Sequence, residues 1–528
     1  MKRTYIILTV LLMSLSINFS CSDLEEEPVG LLAPEAFYQT TSDVQIGING
    51  AYSLLTHESF WGRKLPLSLL LRGDMASIGD MTTTSFRIEV DQMNMSATNG
   101  MVSAMWPKGY EILAALNYTM VGAESIDAAD TEVNPLLAEC RFLRAFIHFH
   151  FVRLFGEIPY IDFAFTDANI AYTLPQSSED DIYAGIIEDL EFAKQHLTDR
   201  PVSKQRPGKG TAAAFLASVH LTRANYPAAY AEAKYVIDNS VAFGYSLEPE
   251  FADLFDPSIA TPSNEVLFEL DFKGNDASAN PSSLGGTNAA IDYLASVTGP
   301  RKDERYTTGE GWSVAVPTLA AFNSFDPQDY RRVVSFDTMM TYNGVATPYT
   351  DWGAIPLNVA RPHIAKYYRA HGEVLGEGNP AVSAGINARD SENDYCLMRY
   401  ADVLLMAAEA SNEVNGPTAE AEDYVNQVRK RARRELDADP TNDRAVPADV
   451  AGGLSKEEFT TMVLEERRVE LAFEFGRWYD IKRRQLGVTA FGPSGLEQQN
   501  FDPARDYYYP KFQQDVDKND NLTQNKGY

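Results

Sequence analysis

Cysteine is scarce in this sequence, with three among 528 residues, so the protein is not a small scaffold held together by disulfides. Basic residues are also few, since 45 lysines and arginines face 74 aspartates and glutamates and leave a formal net charge of −29. This acidity argues against nucleic acid and against anionic lipid surfaces as partners, because both attract clustered positive charge. Apolar residues make up 45% and charged residues 23%, which is the composition of a folded globular protein.

Motifs that carry chemistry are missing as well. The sequence contains no HExxH zinc motif, no GxSxG nucleophile elbow, no P-loop and no GxGxxG dinucleotide loop. Residues 515–520 begin like a calcium-binding EF-hand, but Asp520 stands where the turn needs glycine and Lys526 where the loop needs glutamate. We therefore predict no metal site and no cofactor, and a structural calcium has no support in the sequence.

The N-terminus has the features of a bacterial export signal. Lys2 and Arg3 precede an apolar run at 5–15 that is short for a bilayer span and typical of a signal peptide. Cys21 follows a small residue at the end of this segment, as in a bacterial lipobox. We predict that residues 1–20 are removed and that Cys21 is lipid-modified; the alternative is an ordinary cleaved signal with an incidental cysteine.

The other two cysteines, Cys140 and Cys396, lie in or beside apolar helical patterns. Both are expected to be buried, unreactive thiols. The sequence leaves open whether they form a bridge.

Apolar residues at intervals of three and four predict amphipathic helices at 132–155 and 180–197. Two helix pairs follow, each about as long as one tetratricopeptide unit. They are predicted at 211–223 with 226–239, and at 400–415 with 418–433. Ser455 and Glu458 form the capping-box pattern of a last long helix that continues towards Phe473.

Basic residues cluster at 429–434 and at 467–468 with 482–484. In so acidic a chain these clusters are predicted to be ion-paired helix faces. The nearest partners in sequence for the second cluster are Glu465, Glu466 and Glu470.

The region 271–398 differs from the rest of the chain. It carries 12 of the 34 glycines, which predicts turns, surface loops and short strands. Residues 265–270 are predicted to form one such strand. Loops displayed on a rigid scaffold are a common location for binding residues.

Five tryptophans divide by their surroundings. Trp106 and Trp478 fall in or beside helical segments and are predicted to be core residues. Trp61, Trp312 and Trp352 fall in turn-rich segments, where a flat aromatic face suits stacking on a sugar ring. The alternative for each of these three is that it fills the scaffold.

Several segments, in order along the chain, resemble motifs of the SusD/RagB family of Bacteroidetes outer-membrane lipoproteins. The acidic run at 23–27 resembles the surface-export signal of such lipoproteins. The other segments are Leu136–Phe146 with Val152–Pro159, Arg399–Ala410, Glu465–Glu474 with Arg477–Arg483, and Asn521–Tyr528.

The resemblance implies an all-α dominated, SusD-like fold in which tetratricopeptide-like helix pairs support a loop-rich ligand-binding region with short strands. After the signal peptide it implies an N-terminal region at 21–240 and a C-terminal region at 241–528. The second region would be loop-rich at 271–398 and helical at 399–485, and both would form one compact unit.

The implied function is binding without catalysis. The protein would be lipid-anchored in the outer membrane, face the cell exterior, and pass oligosaccharide to a SusC-like TonB-dependent transporter. By position in the family, the ligand would lie near Trp61 to Asp74 and near Tyr306 to Trp312.

We therefore expect Trp61, Trp312 and Trp352 to stack on sugar, with Tyr306 nearby, and Arg72 and Asp74 to bond sugar hydroxyls. Three alternatives remain. The same fold could bind peptide or another nutrient, the protein could be a glycoside hydrolase whose carboxylate pair the sequence does not single out, or it could be a helical scaffold that binds only protein.

Overall fold

The structure is built mainly from α-helices, with short strands between them, as the sequence predicts. The computed structural model describes residues 37–528 apart from 166, 258, 260–262, 273–290, 369–385, 388–390 and 438. The predicted signal peptide and Cys21 lie outside the described residues. Within these residues, no helix combines the length and apolar character that crossing a membrane requires.

The α-helices of the described residues are α1 (Thr41–Leu55), α2 (Lys64–Arg72), α3 (Ser85–Asp91), α4 (Val102–Ser125), α5 (Asp130–Phe155), α6 (Glu179–His196), α7 (Lys209–Thr222), α8 (Tyr226–Asp238), α9 (Ser240–Phe243), α10 (Leu294–Thr298), α11 (Leu319–Ser324), α12 (Tyr330–Ser335), α13 (Tyr400–Asn415), α14 (Ala419–Ala432), α15 (Lys456–Glu470), α16 (Arg477–Arg483), α17 (Gly487–Ala490) and α18 (Gln513–Lys518). The strands are β1 (Ala76–Ile78), β2 (Val266–Leu270), β3 (Tyr306–Thr308), β4 (Ala315–Pro317), β5 (Phe336–Asp337), β6 (Met339–Tyr342), β7 (Val345–Pro348), β8 (His363–Ile364), β9 (Ile386–Asn387) and β10 (Tyr395–Arg399).

The two predicted helix pairs become neighbours in space. They are α7 with α8 and α13 with α14, and α8 packs directly against α13. Ala229 and Ala233 on α8 are fully buried, so small side chains lie on the packed side of this helix. Helices α5 to α8 each pack on the next in sequence, and α13 continues the array to α14 and α15. The scaffold is therefore one layered helical array whose two halves come from distant parts of the chain.

The capping box of α15 is confirmed, whereas its predicted end is wrong. The hydroxyl of Ser455 accepts a hydrogen bond from the Glu458 backbone at 3.2 Å, and the Glu458 carboxylate accepts one from the Ser455 backbone at 2.8 Å. The helix ends at Glu470 and does not reach Phe473. Phe473 has a φ of +65°, a left-handed conformation that a right-handed helix does not accommodate.

The strands of the described residues form two-stranded sheets: β1 with β4, β2 with β10, β3 with β9, β5 with β8 and β6 with β7. The antiparallel pairing of β1 with β4 places Ser77 opposite Val316. It brings residues just after α2 beside the loop-rich region. This contact positions the candidate site described below.

The basic clusters are ion-paired, as predicted, but with partners from several elements. Arg468 pairs with Glu465, whereas Arg467 pairs with Asp402 at 2.5 Å and with Asp480 at 3.0 Å. Glu470 pairs instead with Arg399, Arg431 and Arg331. These pairs hold α13, α14 and α15 to the loop-rich region.

Both remaining cysteines are free thiols, so the bridge that the sequence left open is not formed. Cys140 is fully buried, and burial raises the pKa of its thiol. Trp106 and Trp478 are core residues, as predicted, with 1% and 0% of their surface exposed.

Candidate functional site

Trp61 and Arg72 lie in the interior, which corrects the prediction that they contact ligand. Trp61 is 1% exposed, and its ring stacks on Phe146 with the centroids 5.9 Å apart. Arg72 is fully buried, and its guanidinium donates to the backbone carbonyl of Asp506 at 2.6 Å. Neither side chain offers a surface to a sugar.

Asp74 and Trp352 are also buried, with 1% and 0% exposure, so the prediction of ligand contact is corrected for them too. Asp74 accepts two hydrogen bonds from Arg477, at 2.7 and 2.6 Å. The Trp352 indole donates to the Thr347 carbonyl at 2.8 Å. Asp74 therefore joins α2 to α16, and Trp352 fills a small core inside the loop-rich region.

Tyr306 and Trp312 are half-buried and flank α10. The Tyr306 hydroxyl donates to the Ala295 carbonyl at 3.0 Å, so its polar end is engaged with the scaffold. The Trp312 backbone donates to the Ser296 carbonyl at 2.6 Å, and its ring lies beside Tyr293 with centroids 6.0 Å apart. Of the six predicted ligand residues, Trp312 is the one placed in the cluster that we describe next.

Around Trp312 the structure assembles aromatic rings and cations from four segments. We call this the cation–aromatic patch. Its members are Arg63, Lys64, Phe86, Arg87, Tyr293 and Trp312.

Backbone hydrogen bonds fix the segments of the patch relative to one another. The Tyr293 backbone donates to the Gly62 carbonyl at 3.1 Å, which ties the residue before Arg63 to Tyr293. The backbone of Asp80 donates to the Ser313 carbonyl at 2.7 Å and extends the β1–β4 pairing as far as the residue after Trp312. Trp312 is thus held by the rigid scaffold on both sides.

Glycine is required at one position next to Trp312. A Cβ on Gly311 would lie 2.3 Å from the Pro300 carbonyl and 2.4 Å from the Gly299 carbonyl. Any larger residue would push the segment away from α10. Gly311 therefore lets the chain approach α10 closely enough to place the Trp312 ring beside Tyr293.

Each cation of the patch lies over one of its aromatic rings. The Arg63 guanidinium lies 4.5 Å from the Tyr293 ring centroid, and the Lys64 ammonium lies 4.9 Å from that of Phe86. The Arg87 guanidinium lies 6.0 Å from the Trp312 centroid and donates to the Thr83 hydroxyl at 2.9 Å. Cation–π contacts of this kind hold both partners in defined orientations.

Burial and mutual repulsion act on these cations. Burial lowers the pKa of Lys64 to about 8, with the charge of Arg63 contributing, and lowers the pKa of Arg87 to about 10 for the same two reasons. Glu58 opposes both shifts and pairs with Arg63 at 2.8 Å. The patch is therefore a positively charged site in a strongly acidic protein.

Sequence analysis missed the other five residues of the patch. One signal was present: Arg63 and Lys64 form a basic pair directly after Trp61 and Gly62 in an acidic chain. Phe86, Arg87 and Tyr293 carry no local pattern that distinguishes them. Their role depends on tertiary contacts that bring four segments together.

A flat ring flanked by guanidinium donors can stack on a sugar ring and bond its oxygens. In the part of the chain that the structure describes, no group of three or more histidine, cysteine or acidic side chains is arranged to hold a metal ion. The groups that the patch presents are an aromatic ring for stacking, hydrogen-bond donors and positive charge.

Comparison with known proteins identifies the family. A family model described as "SusD family" matches residues 363–528, and one described as "Starch-binding associating with outer membrane" matches residues 44–221. The chain is 47% identical over 532 residues to SusD-like protein P2 of Formosa agariphila, with 100% of both chains covered.

Solved structures share the fold. A SusD homologue from Bacteroides thetaiotaomicron has a TM-score of 0.77 at 19% identity, covering 94% of this chain and 98% of that one. Surface glycan-binding protein A from the same species, in complex with laminarihexaose, has a TM-score of 0.71 at 19% identity, covering 92% of this chain and 99% of that one. With a full-length relative at 47% identity, the chain belongs to the SusD family.

Proposed function

We propose that this protein is a cell-surface lipoprotein that binds oligosaccharide and delivers it, without catalysis, to a SusC-like TonB-dependent transporter in the outer membrane. The cation–aromatic patch would be the site that binds the sugar. Cys21 would carry the lipid anchor, and Trp312 would be the main stacking residue.

One observation supports the patch above all others. Tyr293 and Trp312 lie together beside guanidinium groups, and Trp312 is held on a scaffold of helices and paired strands. This arrangement places the partly exposed ring of Trp312, backed by the buried Tyr293, next to hydrogen-bond donors, as stacking on a sugar requires. Family membership adds support, since the relative in complex with laminarihexaose has the same fold.

Isothermal titration calorimetry against a panel of oligosaccharides tests the binding role. The panel contains neutral β-glucan, uronate-containing and sulfated oligosaccharides of similar length. Trp312→Ala is expected to weaken binding of the tightest ligand by at least tenfold, because aromatic stacking is a large part of such interfaces.

Co-purification tests the proposed partner. Purification of the full-length, lipid-anchored protein from its own membranes is expected to yield a SusC-like transporter bound to it.

The matched control is Tyr172→Ala, which removes an aromatic ring that is 43% exposed and lies outside the patch. It should leave affinity unchanged. Unchanged affinity after Trp312→Ala would remove the patch from the binding site. If short peptides bind and none of the oligosaccharides binds, the protein recognises a nutrient other than glycan.

A further inference from the structure

The cations of the patch have fewer acidic partners than Arg399, the buried arginine at the centre of the main ion-pair network. In the interior, Arg399 pairs with Glu265 and Glu470 at 2.6 Å each and with Glu474 at 2.7 Å. In the patch, Arg63, Lys64 and Arg87 share one described carboxylate, Glu58, whose side chain is 32% exposed. Arg399 is therefore balanced by three acids, whereas the patch holds three cations and one described carboxylate.

Hydrogen-bonding capacity is also left over. Among the described residues, the Nε atoms of Arg63 and Arg87 are buried and have no hydrogen-bond partner. The described part of the chain provides the Lys64 ammonium with the face of Phe86 and with neither a hydrogen bond nor an ion pair. Lys64 and Arg87 are each 8% exposed, so water does not fully solvate them either.

Holding these charges together is unfavourable in the free protein. Burial and the neighbouring charge of Arg63 lower the pKa values of Lys64 and Arg87, which means that the site disfavours its own cations. A bound anion would reduce this penalty, because it would neutralise part of the excess charge. A neutral sugar would not.

We propose that the cation–aromatic patch selects oligosaccharides that carry anionic groups, either sulfate esters or uronate carboxylates, over neutral ones. This inference rests on the proposed function, because it assumes that the patch is the glycan site. The geometry assigns ring stacking to Trp312, which is partly exposed and lies beside the buried Tyr293 ring, and assigns the anionic substituent to Arg63, Lys64 and Arg87. Sulfate and carboxylate share the chemistry that the patch recognises, so the experiment has an arm for each.

The test is calorimetry on the full mature chain with three probes of similar length. They are laminarihexaose as the neutral probe, an oligogalacturonate as the carboxylate probe and a sulfated galactan oligosaccharide as the sulfate probe. We expect at least one anionic probe to bind tenfold or more tightly than laminarihexaose. Its affinity should fall as sodium chloride rises, because the contact is electrostatic.

Three substitutions, two expected to lower affinity and one expected to raise it, make the test independent of folding. Lys64→Gln and Arg87→Gln are each expected to lower affinity for the anionic probe by fivefold or more. Glu58→Gln removes the competing carboxylate and is expected to raise it severalfold, a gain that a misfolded variant would not show. Lys234→Gln is the matched control, since Lys234 is an exposed cation paired with Asp238 and Glu420 elsewhere on the surface.

The outcomes separate the two proposals. If laminarihexaose binds as tightly as both anionic probes, and Trp312→Ala abolishes binding while Lys64→Gln does not affect it, anionic selection is wrong and the glycan site stands. If none of the three probes binds, both proposals fail for these ligand classes. If Lys234→Gln weakens binding as much as Lys64→Gln, the effect is one of net charge, and the patch does not provide the selectivity.

Discussion

At the level of single residues, the turn-rich surroundings of a tryptophan predict a loop but not the direction in which its ring faces. Trp312 lies in the patch, whereas Trp61 and Trp352 are in the core although their local sequences look similar. The difference arises from partners far away in sequence. The Trp61 ring packs against Phe146 and Phe475, and the sequence around residue 61 contains no pattern that predicts either contact.

The charge of Lys64 is expected to favour binding of an anionic ligand and to lower the stability of the free protein. Below pH 8 its amine is charged in both the folded and the unfolded chain, and the buried charge destabilises the fold. As the pH rises from about 8 towards 10.5, the folded protein loses this proton before the unfolded chain does, so the contribution of Lys64 to stability increases.

Lys64→Met is therefore expected to raise the free energy of unfolding at pH 7, by up to about 3 kcal/mol. The gain should shrink as the pH rises from about 8 to 10.5, which urea denaturation at several pH values would show. Lys234→Met, at an exposed ion pair, should change stability by about 1 kcal/mol or less at every pH. If Lys64→Met lowers the free energy of unfolding at pH 7, the interpretation that the Lys64 charge destabilises the folded protein is wrong.

At the level of elements, periodicity locates helices well because it is a local property. The prediction of 211–223 with 226–239 corresponds to Lys209–Thr222 and Tyr226–Asp238, and the strand predicted at 265–270 is Val266–Leu270. The patch has no such local signature, because it combines the start of α2, part of α3 and the segments at Tyr293 and Trp312. Sequence analysis could identify Trp312 but could not predict which other residues lie beside it.

The crossing of α4 and α5 depends on a glycine that leaves room for an aromatic ring. A Cβ on Gly109 would lie 2.1 Å from the Phe151 ring, which is itself fully buried. Gly109→Ala is therefore expected to lower the free energy of unfolding by about 1–3 kcal/mol, through overpacking, in a chemical denaturation experiment.

Gly50→Ala is the control within the same class of substitution. Gly50 lies in α1, and a Cβ there would meet nothing within 4 Å. Alanine favours helix over glycine by about 1 kcal/mol, so this variant should be slightly stabilised. If both variants behave alike, the effect at Gly109 comes from helix propensity and not from the contact with Phe151.

At the level of the whole molecule, the regions predicted at 21–240 and 241–528 share one apolar core. The main cluster of buried side chains includes Val44 near one end of the described chain and Leu522 near the other. Polar contacts also join the two regions. Asp74 is held by Arg477, and the Asn525 amide donates to the Phe155 carbonyl at 2.9 Å. We propose on this basis that the two regions form a single folding unit.

A single unit should unfold in one cooperative step. Differential scanning calorimetry of the chain that begins after Cys21 is expected to show one transition, with equal calorimetric and van't Hoff enthalpies. Arg477→Gln should lower the midpoint of that transition without dividing it, because it leaves the buried Asp74 carboxylate unpaired in a core that both regions share. Two resolved transitions, or a split that appears only in Arg477→Gln, would mean that the regions are separate domains joined mainly by this ion pair.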